Sequence, residues 1–355
     1  EAGAAGAMHG ALISGSLAST FTASQGLLLM IPNMYKMAGE MLPGVIHVAS
    51  RTVATHALSI FGDHSDIYAT EKTGFCMLAS NNVEEANHLA AVAHLSAIKG
   101  SLPFLHFFDG FRTSHEINVA DLLSDEDILK LIDYDSLKKF KESTLNSDSK
   151  IQKGLAFNED VYFQTMEAKN LDYLKIPDIV NYYMEKINEI KNTNYMPFNY
   201  YGASDAENII IAMGSVIDTC KIVVDSLNKK GKKTGVISVH LLRPFSKDYL
   251  LKVLPNTVKN IAVLDRTKES GSVGEPLYLD VLSTLKDKNV NIVGGRYGLS
   301  SKDTTPDDIA AIYKMLDEKL KNNFTISIVD DLTNLSLEKE KIDIDLNCDE
   351  IKIYG

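Results

Sequence analysis

Short apolar runs that alternate with helix-length segments constrain this chain more than any other feature. Val45-Ile46-His47-Val48, within Pro43–Ala49, is one such run, and Leu17–Ala23, Phe75–Ala79 and Leu102–Phe108 are others in the first half. Asn208–Met213, Val236–His240, Asn260–Leu264 and Asn291–Val293 follow in the second half. All are strand-length and rich in β-branched or aromatic residues, with little polar alternation. Between them lie helical patterns at Ala2–Ser14, Gly26–Gly39, Val83–Ile98, Val216–Lys229, Glu275–Thr284 and Thr305–Lys319. Pro32 is expected to kink or break the second of these, and Thr304-Thr305-Pro306-Asp307 announces the start of the last. Strands buried on both faces, each followed by a helix, predict parallel sheets in an α/β fold.

The chain has 355 residues, which predicts two domains. Residues 1–200 read as the first. Its composition changes near Glu116, and from about 116 to Asn194 it is charged, Lys-rich and helical, an extension of that domain. Tyr195–Tyr201 reads as a connector. Residues 201–330 form the second α/β unit, and 331–355, acidic and weakly patterned, read as a linker into a further domain. The chain opens on Glu1 rather than Met, so a piece of a longer or processed polypeptide is expected.

Composition narrows the partners. Lys and Arg total 36 against 47 Asp and Glu, a net charge of -11, which repels nucleic acid. Ala2 to Tyr35 carries no charged residue, yet Gly10, Ser14, Gly15, Ser16, Gln25 and Pro32 interrupt it. No apolar block is long enough for a membrane span or signal peptide, so burial on several sides is expected. Cys76, Cys220 and Cys348 are too far apart for a metal-ligand motif, and free thiols in a reducing compartment are expected. That predicts the cytoplasm or a redox organelle, not secretion.

Several residues stand out on spacing alone. Glu1 precedes glycines at 3, 6 and 10, which do not make a dinucleotide fingerprint but do make a helix with a nearly flat face. A first-turn acid interacting with the helix dipole is one reading of Glu1. Arg51 ends a predicted strand, where ligands of parallel sheets gather, and can hold a carboxylate through two parallel hydrogen bonds. A surface or interdomain ion pair is its other reading. His47, His56, His64 and His115 lack metal-binding spacing and read as structural, so no metal ligand is expected in this chain. Asp63-His64 and Asp109 suit acid–base chemistry or turns equally. The charged loop from Asp265 to Glu275 could place an anion at a helix N-terminus, or serve as an interdomain contact.

Longer strings go further. Glu1–Ala11, Thr20–Lys36, His56–Asp66 and the stretch from Pro103 to His115-Glu116 closely resemble the first domain of the pyruvate:ferredoxin (flavodoxin) oxidoreductase family. The resemblance continues through Arg243-Pro244-Phe245, Leu264–Glu269 and Gly294–Lys302, and weakens between Asn118 and Tyr200 and after Leu332. It implies a thiamine diphosphate pyrimidine-binding domain followed by a domain like the C-terminal domain of transketolase. Glu1 would hydrogen-bond the cofactor's aminopyrimidine and favour the imino tautomer that deprotonates the thiazolium. Arg51 would hold the carboxylate of pyruvate. The parent would use thiamine diphosphate, Mg²⁺, [4Fe-4S] clusters and coenzyme A, and would work as a homodimer with ferredoxin or a fused NADP reductase. The cluster ligands, the coenzyme A domain and the diphosphate and Mg²⁺ groups are not in this sequence. The isolated chain is therefore expected to be inactive and to hold no cofactor. A homologue acting on another 2-oxoacid, and a non-catalytic scaffold of the same fold, are the alternatives.

Overall fold

The computed structural model describes residues 1–115, 117–145, 147, 151–330 and 332–344. Cys348 and the last part of the expected linker, from 345 on, lie outside them. The first half runs α1 (Ala2–Ile13), β1 (Ser19–Thr22), α2 (Gln25–Gly39), β2 (Val45–Ser50), α3 (Ser65–Thr70), β3 (Cys76–Ser80), α4 (Val83–Gly100) and β4 (Phe104–Asp109). Four helices follow, α5 (Asp125–Leu131), α6 (Tyr134–Glu142), α7 (Tyr162–Ala168) and α8 (Asn170–Lys191). The second half runs β5 (Phe198–Gly202), β6 (Asn208–Ala212), α9 (Val216–Lys229), β7 (Thr234–Val239), β8 (Leu241–Arg243), α10 (Lys247–Val253) and β9 (Asn260–Asp265). It closes with α11 (Pro276–Thr284), β10 (Asn291–Arg296), α12 (Pro306–Glu318) and β11 (Phe324–Thr325).

Two sheets result, ordered β1-β2-β4-β3-β8 and β11-β10-β9-β6-β7-β5. Pairing is parallel throughout except for β8 against β3 and β5 against β7, so the expected α/β class holds. The physical cause is visible in the strands. Every residue of β6 and of β3 is buried, as covered parallel strands require. Local signals set the helix ends. Asn82 accepts a hydrogen bond from Glu85 N–H to start α4, and Thr305 and Asp308 form a capping box at α12. Helix α2 buries Leu27, Met30, Met34 and Met37 on one face. It runs through Pro32 without the expected break, because a proline there forfeits only one intrahelical bond while the buried face continues on both sides.

Three strands depart from the sequence reading. The Tyr-rich segment expected as a connector contains β5, an antiparallel edge strand. β8 leaves the second sheet and joins the first, where Arg243 pairs with Glu71 at 2.8 Å and with Asp280 at 2.6 Å. β11 adds a two-residue edge. The charged helices pack outside α4, with Ile176, Val180, Tyr183 and Met184 of α8 buried against it. Residues 332–344, read as part of a linker, lie against α12, where Ile342 N–H donates to Asp307. No helix among the described residues is long and apolar enough to cross a membrane.

Candidate functional site

The carboxyl ends of β1, β2 and β4 lie side by side, and of the residues singled out from the sequence Glu1 and Arg51 lie there. Glu1 is exposed and caps α1 only through its backbone, whose carbonyl accepts from Ala5 N–H. Its side chain instead lies against the start of α2. A Cβ on Gly26 would stand 2.7 Å from Thr22 Oγ1 and 2.9 Å from Glu1 Oε1. Only glycine allows that approach. Thr22 Oγ1 itself is buried and makes no hydrogen bond among the described residues, which is unusual enough to call for a partner.

Arg51 follows β2. Its N–H donates to Asp66 Oδ2 at 2.9 Å. The same oxygen accepts from Ser24 N–H at 2.8 Å, and Ile67 N–H donates to the other oxygen. Asp66 thus ties the turn after β1, where Ser24 takes a left-handed φ of 53°, to the turn after β2. Burial pushes its carboxyl up to about 7, against the pull of the three N–H donors. Beyond the backbone, Arg51 places its guanidinium 4.7 Å from the centre of the Phe111 ring and makes no ion pair among the described residues. Phe111 also contacts Phe61 and stacks on His115. A Cβ on Gly110 would overlap the Ser50 carbonyl, so the backbones after β2 and β4 touch directly beneath Arg51.

The other candidates divide. Asp109 and His64 are brought together, at 2.6 Å, but between the two sheets rather than beside Glu1. Asp109 also accepts from Ser215 N–H and Oγ–H and faces Arg266 at 2.8 Å. Burial raises its carboxyl, yet Arg266 and His64 outweigh that and hold it well below the usual range. Asp63 accepts from Thr52 and Ser65 and is a loop brace. His56 is exposed. His47 belongs to a chain of three histidines, with His94 and His106. The helix N-terminus after the Asp265 loop is filled from within, since Leu277 and Tyr278 N–H both donate to Asp265. No group of three or more His, Cys, Asp or Glu side chains that could hold a metal ion is found among the described residues. Sequence reasoning missed Asp66, Thr22 and Phe111. All three lie inside the strings quoted above, but nothing local marks their roles.

The arrangement offers an exposed carboxylate beside a hydroxyl, and a guanidinium held on a neighbouring strand end, the hydroxyl and the guanidinium both without partners among the described residues. It suits an amine-bearing ring at the first and a carboxylate at the second. Residues 1–185 match the family described as "Pyruvate flavodoxin/ferredoxin oxidoreductase, thiamine diP-bdg", and 206–309 match "Pyruvate:ferredoxin oxidoreductase core domain II". The chain is 54% identical over 347 residues to a pyruvate:ferredoxin oxidoreductase of Moorella thermoacetica, an alignment covering 97% of this chain and 30% of that protein. It is 55% identical over 340 residues to a pyruvate-flavodoxin oxidoreductase of Klebsiella pneumoniae, covering 95% and 29%. It is 48% identical over 350 residues to the mitochondrial pyruvate dehydrogenase [NADP(+)] of Euglena gracilis, covering 97% and 19%. A solved 2-oxoglutarate:ferredoxin oxidoreductase from Magnetococcus marinus shares the fold at a TM-score of 0.56 and 15% identity, over 87% of this chain and 55% of that one. The chain thus spans about 30% of the length of the curated ferredoxin and flavodoxin enzymes it matches. The chain belongs to the pyruvate flavodoxin/ferredoxin oxidoreductase family.

Proposed function

We propose that this chain supplies the pyrimidine-side half of a thiamine diphosphate site, residues 1–200, and a second α/β domain, 201–330, that buttresses it. The intact enzyme oxidatively decarboxylates pyruvate to acetyl-CoA and CO₂ and passes electrons to ferredoxin or flavodoxin, or to NADP. We assign Mg²⁺, the [4Fe-4S] clusters and coenzyme A to the rest of that protein, and a second copy of it to the dimer. The observation that carries the reading is the contact of Glu1, Thr22 and Gly26, linked through Ser24 and Asp66 to Arg51. The names of the relatives favour pyruvate over other 2-oxoacids.

The residues present fit the cofactor. Bound there, thiamine diphosphate supplies a nucleophilic carbon and an electron sink. Glu1 accepts a hydrogen bond from the ring and holds the proton it exchanges. Thr22 Oγ1 gains the partner it lacks. Arg51 takes the substrate carboxylate through two parallel N–H donors, and the Phe111 ring beneath it shields one face of the guanidinium from water. In the intact enzyme, Glu1→Gln should slow exchange of the cofactor's acidic carbon-bound proton by about 100-fold or more, the usual size of a general acid–base contribution. Exchange at the unmodified rate, measured by proton NMR after acid quench, would remove Glu1 from the site.

A further inference from the structure

The second sheet has its own switch point. From β6 the chain winds outward through α9 to β7, and from β9 it winds the other way through α11 to β10, while β6 and β9 lie side by side. In open α/β sheets, ligands bind in the crevice outside the carboxyl ends of two such strands. A cavity of about 110 Å³ lies there, lined by Ser215 after β6, Arg266 after β9, Tyr297 after β10, and by Arg112, Lys302 and Thr304. The site described above makes no use of it.

We propose that this cavity binds a tetrahedral oxyanion, either free phosphate or the phosphate end of a larger ester. Three cations line it against two carboxylates nearby. Arg266 is 3% exposed and faces Asp109, yet its Nη1 is buried without an aligned hydrogen bond. Arg112 pairs with Asp303, whose side chain is 79% exposed and can turn out to water. Lys302 has no ion-pair partner among the described residues, so the cavity is left one positive charge in excess. Thr304 Oγ1 is buried and makes no hydrogen bond among the described residues. The first turn of α9, with Val216 and Thr219, forms another wall and adds the positive end of a helix dipole. A hydroxyl, an ammonium and two guanidinium groups arriving from different elements suit a tetrahedral group better than a planar carboxylate. The volume admits a phosphate group, and only a ligand reaching out through the mouth could be larger.

The test is calorimetric titration of the intact protein with inorganic phosphate, after saturation with thiamine diphosphate and Mg²⁺. One phosphate should bind per chain below about 10 mM, and Lys302→Ala and Arg112→Ala should each weaken it about tenfold or more, the scale of a charged hydrogen bond. Both side chains are at the surface end of the cavity, so neither change should disturb folding, and circular dichroism checks that. Arg51→Lys should leave the phosphate isotherm unchanged, which separates this site from the proposed substrate site. Glycerol 3-phosphate, titrated in parallel, distinguishes the sources. Tighter binding than phosphate identifies an ester, and equal binding identifies the free ion. No uptake, or isotherms that superimpose for the parent, Lys302→Ala and Arg112→Ala, would overturn the proposal.

Discussion

Arg51 is fixed at its base and open at its tip. Its N–H is held by Asp66, its stem lies against Gly110, and its guanidinium rests on Phe111 with no carboxylate to neutralise it among the described residues. A buried or half-buried arginine is usually paired, so the exposed donors are what a carboxylate substrate would use. Lysine at this position keeps the charge but not the two parallel donors. In the intact enzyme, Arg51→Lys should lower kcat/KM for pyruvate by about 1.5–3 kcal/mol of transition-state stabilisation, with cofactor affinity little changed. Steady-state kinetics alongside cofactor titration check this, and an unchanged kcat/KM would exclude Arg51 from substrate binding. Asp66 contributes differently. It touches neither proposed ligand and acts by holding two turns in register.

Strands β2 and β4 and helix α4 are cross-linked by histidines. His47 Nδ1 lies 3.0 Å from His106 Nδ1, and His47 Nε2 lies 3.1 Å from His94 Nε2. His106 Nε2 meets Ser80 Oγ, which donates to the Glu85 carbonyl. With Ser80 donating onward, its oxygen accepts from His106 Nε2–H. His47 Nδ1–H then donates to His106, and His94 Nε2–H to His47. Each ring is neutral and carries its proton on one set nitrogen. Burial, then the neighbouring His94, lowers His47 to about 4, and burial lowers His94 and His106 as well. A histidine pKa held below its unfolded value stabilises the fold fully above about 6.5, and that contribution is lost as pH falls through about 4. His47 alone should therefore withdraw about 2 kcal/mol between pH 7 and pH 5. Urea midpoints at the two pH values test it. The drop should shrink clearly in His47→Gln, and an equal drop in both proteins would show that the chain does not titrate as drawn.

At the scale of the molecule, apolar and featureless surface is concentrated in the first half. A Cβ at Gly3, Gly6 or Gly10 would meet no atom within 4 Å, so one face of α1 is flat and uncovered. Phe21, Leu29, Leu58 and Ile60 are 75%, 55%, 74% and 56% exposed. Surface of this kind usually marks an interface, and close backbone approach is what small residues permit. We expect the intact protein to dimerise through it. Gly6→Leu should leave the chain's own stability unchanged or raise it by up to about 1 kcal/mol through helix propensity, yet shift the intact protein toward monomer in sedimentation at micromolar concentration. A dimer that tolerates the substitution would place the contact elsewhere.

Chain order and residue type sufficed for the α/β class, for helices α1, α2, α4, α9, α11 and α12, and for the buried strands β2, β3, β4, β6, β7 and β9, because periodicity and β-branched runs act over a few residues. The same local signals placed Glu1 ahead of a flat helix and Arg51 at a strand end. They did not reveal β5, β8 or β11, which are short edge strands held by what they pair with rather than by their own propensity. Nor did they reveal Asp66, whose partners Ser24 and Arg51 lie 42 and 15 residues away, or the joining of Asp109 to Ser215 and Arg266 across the two sheets. Local pattern determines which segments form and which face each buries. Which carboxylate meets which donor is settled only when the sheets close on each other, because a buried charge must find a partner wherever the tertiary fold brings one.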